Sequence, residues 1–171
     1  MNNAFIFPGQ GSQYVGMGQD LYNTSSFARD IYHYASEVLE FDLQNISFNG
    51  PDNILKDTQY TQPAIFVHSY ILDKMLKDRD LYPDVVAGHS LGEFTALVSA
   101  EVLSFEDTLK IVKLRSKLMS NAGKKTPGSM AAILGADNKQ LKTICDQDGI
   151  VVPANINAPG QVVISGEQES V

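Results

Sequence analysis

Ser90 sits in Gly88-His89-Ser90-Leu91-Gly92, a Gly-x-Ser-x-Gly spacing. A serine hydroxyl is a weak nucleophile until a turn exposes it and a base takes its proton. Small neighbours on either side let a strand enter and a helix leave within a few residues. The hydroxyl then stands at a helix N-terminus, where main-chain N–H groups and the helix dipole favour negative charge. There the Leu91 N–H can help hold a tetrahedral oxyanion. The chemistry such a turn supports is attack on an acyl carbonyl. The plain alternative is a serine that only caps a helix. The spacing recurs by chance in roughly one chain in twenty of this length, so its surroundings must decide.

Two further groups bear on that chemistry. Arg115 lies on a helix where Thr108, Ile111, Val112, Leu118 and Met119 form an apolar stripe, at a place in the stripe where an apolar residue is expected. A buried guanidinium requires an anionic partner, and its planar fork suits a carboxylate held by two hydrogen bonds. An arginine reaching to solvent from a helix edge, or a structural ion pair, is the competing explanation. Gln10 lies in the loop Pro8-Gly9-Gln10-Gly11-Ser12-Gln13. That loop is not a nucleotide-phosphate loop, because Gly-Lys-Ser/Thr is absent. Its glycines allow backbone N–H groups to approach an acyl oxygen. None of the three histidines reads as the base. His33 lies off the apolar face of its helix, His68 sits among Phe66, Val67 and Ile71, and His89 leaves the turn in another direction from Ser90.

The elements that must position these groups follow from periodicity and punctuation. Residues 3–7 read as a strand stopped by Pro8-Gly9. A helix is expected at 26–40, with Phe27, Ile31, Tyr34, Ala35, Val38 and Leu39 inward. Residues 45–61 read as loop with one short helical turn, and Pro63 as an early residue of a helix reaching Lys77. Residues 84–88 are a short buried strand. A helix then runs from Ser90 to Glu101, with Leu91, Phe94, Leu97 and Val98 as its apolar face. Ser104 and Asp107 resemble a capping box opening a helix to Asn121. Residues 123–128 read as linker. A strand at 130–134, a helix at 138–147, a strand at 150–156 and a strand at 161–165 follow. That order is half of a split β-α-β unit.

Bulk properties narrow the class. A net charge of −7 over 171 residues argues against nucleic acid as the main partner. No run of 18 apolar residues exists to span a membrane. The N-terminus lacks the basic start of a signal peptide and reaches Pro8 too soon for one. Cys145 is the single cysteine, so neither an internal disulfide nor a thiolate metal site is expected, and a cytoplasmic location is the default.

The loop Phe7-Pro8-Gly9-Gln10-Gly11-Ser12-Gln13, read with Gly88-His89-Ser90-Leu91-Gly92-Glu93-Phe94, resembles the malonyl-CoA:acyl-carrier-protein transacylases. It is also similar to the acyltransferase domains of polyketide and fatty-acid synthases. Further matches are Tyr60-Thr61-Gln62-Pro63-Ala64, Leu114-Arg115-Ser116-Lys117-Leu118-Met119, Gly128-Ser129-Met130-Ala131-Ala132, and residues 155–166. The resemblance implies an α/β fold: an α/β-hydrolase-like core with a parallel sheet in residues 1–126, and a partial ferredoxin-like subdomain in 127–171. It implies malonyl transfer from malonyl-CoA to the phosphopantetheine thiol of acyl carrier protein, in fatty-acid biosynthesis. Ser90 would be acylated, the Gln10 and Leu91 N–H groups would line the oxyanion hole, and Arg115 would bind the malonyl carboxylate. No metal or organic cofactor is implied.

The resemblance also places a catalytic histidine beyond Val171. The expectation is therefore an N-terminal part of a longer enzyme, inactive or poorly active alone, with the early first motif favouring a standalone enzyme over a synthase domain. A serine esterase or thioesterase on the same turn remains an open alternative, as does an inactive fragment. Lys110, Lys113, Lys117, Lys124 and Lys125 could offer a basic patch for an acidic carrier, although an ordinary solvated helix face explains them better.

Overall fold

The computed structural model describes residues 3–171. The chain forms a mixed α/β fold of two compact units, Met1–Ser120 and Asn121–Val171.

In the first unit a parallel two-stranded sheet pairs β1 (Ala4–Phe7) with β2 (Val85–Gly88), with Phe7 opposite Gly88. Both strands therefore end at the same edge, so the Gly-rich loop and the serine turn emerge side by side. That is where ligands bind in open parallel sheets. The core lies among helices. α5 (Thr58–Lys77) is central, burying Ala64, Ile65, Phe66, Val67 and Ile71 among others. The rings of Phe66 and Tyr70 both stack on Phe105. At the far end of α5, Asp73 takes an ion pair from Lys77 at 2.9 Å and a hydrogen bond from the Ser99 hydroxyl at 2.6 Å. Lys77 also donates to the Ser99 carbonyl at 2.7 Å. This pins α5 to the end of α6 (Gly92–Ser99), the helix that follows Ser90.

Several expectations shift. The expected loop at 45–61 is helical in three places. Asp42 caps α3 (Leu43–Asn49) by accepting from the Asn45 N–H, α4 spans Asp52–Leu55, and Asp57 caps α5 by accepting from the Gln59 N–H. Pro63 therefore lies inside α5 rather than at its start. A short helix, α1 (Gln19–Thr24), was not expected and buries no residue of its own. On α2 (Ser26–Leu39) the fully buried line is Ala28, Tyr32, Ala35 and Leu39. Phe27, Ile31, Tyr34 and Val38 flank it. Ser90 and Leu91 belong to the turn, not to α6.

Arg115 is carried by α7 (Phe105–Lys125). The helix is capped by Ser104, whose hydroxyl accepts from the Asp107 N–H, and it runs into the first half of the stretch read as linker, ending at Lys125. Its buried line is Phe105, Thr108, Leu109, Val112, Ser116 and Ser120. Ile111, Leu118 and Met119 are exposed instead. Serine can take the inner face because its hydroxyl finds partners there. Ser116 donates to the Lys113 carbonyl, and Ser120 donates to the Asp57 carboxylate.

In the second unit an antiparallel sheet has the order β3 (Ser129–Leu134), β5 (Gln161–Gly166), β4 (Val151–Ala158). A helix, α8 (Asn138–Cys145), joins β3 to β4 and starts with a complete capping box between Asp137 and Gln140. The third strand lies between the first two, as the split β-α-β order requires. Among the described residues, no helix is long and apolar enough to cross a membrane.

Candidate active site

The chain leaves β2 through Ser90, whose φ of 54° lies in the left-handed region. A non-glycine residue there costs on the order of 1–3 kcal/mol and persists only where its surroundings impose it. The imposition is steric. A Cβ on Gly88 would strike the Gly92 and Glu93 backbone, and one on Gly92 would strike the Phe7 carbonyl. The two glycines thus let the start of α6 press against both strand ends. The turn is closed by main-chain bonds from His89 to the Phe7 carbonyl (3.0 Å), Gly92 to His89 (2.9 Å) and Phe94 to Leu91 (3.1 Å). Leu91 is buried, and its N–H stands outside that ladder, at the helix start beside Ser90.

The Gly-rich loop beside the turn is held by side chains. Ser12 donates to the Gly9 carbonyl (2.9 Å), and the Gln13 amide oxygen accepts from the Gly11 N–H (2.8 Å). The Gln10 side chain donates to the Thr58 hydroxyl at 3.1 Å, at the start of α5. His89 packs against Gly9, which places its ring over this loop.

The structure brings Arg115 to Ser90. One guanidinium nitrogen donates to the Ser90 hydroxyl at 3.1 Å, and the other terminal nitrogen donates to the Gln62 amide oxygen at 2.5 Å. The Phe94 ring lies under the guanidinium, 5.6 Å from centroid to carbon. Arg115 is half-buried rather than enclosed. Desolvation pulls its pKa down, opposed by the charge of Glu93, and the group stays cationic.

Gln62 is the residue that sequence reasoning missed. It lies in Tyr60-Thr61-Gln62-Pro63-Ala64 and is 1 % exposed, on the most buried helix. A fully buried amide needs partners, and it has two: Arg115 at its oxygen, and the Met119 sulfur at 3.3 Å from its nitrogen. A lone amide in the apolar run after Thr61 was the available signal.

Other groups fall elsewhere. His33 meets the Tyr22 hydroxyl at 2.9 Å on the outer face of α2. His68 lines a groove of about 380 Å³ between β1 and α5, with Phe5, Ser12, Tyr14 and Leu72. Burial there lowers its pKa, partly offset by Asp20. Two of the lysines read as a basic patch are already engaged. Lys113 pairs with Glu40 at 2.9 Å and donates to the Val38 carbonyl, and Lys110 lies 3.6 Å from Asp107.

Comparison with known proteins gives one consistent result. A family model described as "Acyl transferase domain" matches residues 4–171. The chain is 48% identical over 169 residues to a malonyl CoA-acyl carrier protein transacylase of Staphylococcus aureus, covering 96% of this chain and 54% of that protein. The crystal structure of the Synechocystis sp. PCC 6803 malonyl-CoA:ACP transacylase is similar, with a TM-score of 0.89 and 43% identity, over 99% of this chain and 56% of that one. So is a type II PKS acyl-carrier protein in complex with its malonyl-transacylase, with a TM-score of 0.88 and 40% identity, over 99% and 56%. The chain spans about half the length of the curated relatives it matches.

Proposed function

The chain belongs to the acyl transferase domain family, and from that premise we propose that it transfers malonyl groups from malonyl-CoA to the thiol of an acyl carrier protein through an ester on Ser90. The observation that carries this reading is the 3.1 Å contact between Arg115 and the Ser90 hydroxyl. It places a fixed positive charge within one short acyl chain of the nucleophile. A neutral acyl group has no use for that charge, whereas a malonyl group ends in a carboxylate that the guanidinium fork can hold.

In this mechanism the malonyl carboxylate pairs with Arg115, and Ser90 attacks the thioester carbonyl. The oxygen of the tetrahedral intermediate accepts from the N–H groups of Gln10 and Leu91. Coenzyme A leaves as the thiol, and the carrier thiol then attacks the malonyl ester. A thioester is already activated, so the reading invokes no metal or organic cofactor. His33 meets Tyr22 on the outer face of α2, His68 lines the groove between β1 and α5, and His89 packs against Gly9, so the general base is assigned to none of them. The similar complex between a carrier protein and its malonyl-transacylase supports the choice of acceptor. Fatty-acid biosynthesis in the cytoplasm is the setting this reading expects.

The test is intact-mass analysis of the native protein after mixing with malonyl-CoA. One malonyl group on Ser90, absent from Ser90→Ala and discharged by holo carrier protein, is the expected result. Discharge to water at the same rate with and without carrier would favour a thioesterase. No label on Ser90 would overturn the reading.

A further inference from the structure

We infer that Ser12 is a positioning residue for the oxyanion hole: by holding the Gly9 carbonyl, it sets the plane of the peptide whose other end is the Gln10 N–H. The inference rests on the reading of Ser90 as acyl acceptor and of the Gln10 N–H as a donor to the tetrahedral oxygen. It gives a part in the reaction to a residue of the Gly-rich motif that the mechanism leaves unused.

One peptide group links the two residues. The Gly9 carbonyl and the Gln10 N–H lie in the same plane, and across a trans peptide they point in opposite directions. Whatever fixes one fixes the other. The Ser12 hydroxyl donates to the Gly9 carbonyl at 2.9 Å. Gln10 and Gly11 are the central residues of this turn. The carbonyl therefore faces into the turn and the Gln10 N–H faces out of it. Among the described residues, neither the Gln10 N–H nor the Leu91 N–H donates a hydrogen bond, so both are available to an acyl oxygen.

The loop needs such a hold because its backbone is permissive. Glycine stands on both sides of Gln10, and glycine resists rotation of a peptide plane less than any other residue. Gly11 sits at a φ of 109° with open space around it. The peptide after Gln10 is held in the same manner, since the Gln13 amide oxygen accepts from the Gly11 N–H at 2.8 Å. Gly9 is buried, and a Cβ on it would lie 2.6 Å from the His89 carbonyl, so the peptide in question stays beside the residue that precedes Ser90. Were that peptide to flip, the Gly9 carbonyl oxygen would replace the N–H and repel the developing negative charge. Ser12 itself is exposed, so its own substitution sacrifices little packing.

Two measurements on the native protein test this. The first is single-turnover acylation of Ser90 by malonyl-CoA in wild type, Ser12→Ala, Ser12→Thr and Ser12→Val. An oxyanion donor acts in the transition state, so its misorientation slows the saturated rate and leaves the half-saturating concentration unchanged. Ser12→Ala should lose about tenfold in that rate, the size of one lost hydrogen bond and less than the roughly hundredfold or more that outright loss of a donor costs. Ser12→Thr should restore the rate, and Ser12→Val, of the same shape without the hydroxyl, should not. That pair decides the matter if Ser12→Ala fails to fold. An unchanged rate in Ser12→Ala, a raised half-saturating concentration at an unchanged rate, or a Ser12→Thr variant as slow as Ser12→Val overturns the inference. The second follows the backbone amides of Gln10 and Leu91 by NMR while Ser90 is malonylated. In wild type both signals should move downfield as the ester carbonyl oxygen accepts from them. In Ser12→Ala the Leu91 signal should still move and the Gln10 signal should stay. Equal movement of Gln10 in both proteins overturns the role of Ser12. Malonylation of wild type with no movement at Gln10 overturns the oxyanion reading beneath it, and no malonyl group on Ser90 overturns the reading of the nucleophile.

Discussion

Two glycine-rich segments leave the same edge of one parallel sheet, and they are held in opposite ways. The turn around Ser90 is fixed by contact, with no room for a Cβ at Gly88 or Gly92. The loop after β1 is fixed by side-chain hydrogen bonds from Gln10, Ser12 and Gln13, and Gly11 in its middle has open space around it at a φ of 109°. Glycine serves close packing at Gly88 and Gly92, and at Gly9 where the loop meets His89, but an unusual backbone angle at Gly11. A nucleophile must be rigid to keep its strained conformation. A loop that brings N–H groups to a substrate needs only to be set in place, which surface hydrogen bonds accomplish.

That contrast can be broken by substitution. The largest effect is expected from Gly92→Ala, whose new methyl meets the Phe7 carbonyl, a backbone atom that cannot yield cheaply. A loss of about 3 kcal/mol or more in urea denaturation is expected; a loss below about 1 kcal/mol would show that the turn can open. Gly11→Ala adds a methyl in free space but at a positive φ, so the same measurement should show about 1–2 kcal/mol. Equal losses at the two positions would erase the distinction between them.

Two smaller effects sharpen it. Ser90→Gly removes the side chain but relieves the left-handed strain, so melting should show a gain of about 0.5–1 kcal/mol while acyl transfer is lost. A destabilised variant would mean that the turn is not strained. Acidification should act on the other segment. His68 lines the groove that also contains Pro8 and Ser12, and burial lowers its pKa below the unfolded value of 6.5. The folded state favours neutral imidazole, so the unfolded chain binds more protons as pH falls. The contribution is fully present above 6.5 and is lost below it, toward the lower folded pKa. Protection from hydrogen exchange, corrected for the intrinsic pH dependence of exchange, should therefore fall around residues 9–12 before it falls around residues 88–92 as pH drops from 7 to 5. The reverse order would detach His68 from the loop.

How much of this was legible in the sequence depended on whether the determining contacts were local. The strand before Ser90, the loop with Gln10, the helix with Arg115 and the strand order of the second unit could be read from punctuation and periodicity. The helices within residues 43–55 could not, because their few buried groups, Leu43, Ser47 and Leu55, are fixed by packing rather than by a repeating stripe. The inner face of α7 was misread for a related reason. Ser116 and Ser120 look like surface residues until their partners are known, and Ile111, Leu118 and Met119 look like core until the helix is rotated into place.

By itself the sequence determined the positions of the turn, the Gly-rich loop and the arginine, because glycine sterics and helix phase are properties of neighbouring residues. Tertiary structure alone decided that Arg115 reaches Ser90 across 25 positions and is clamped by Gln62 across 53. Such contacts depend on how α5 and α7 settle against the end of the sheet. Spacing along the chain carries no record of that packing, which only the buried line of each helix sets.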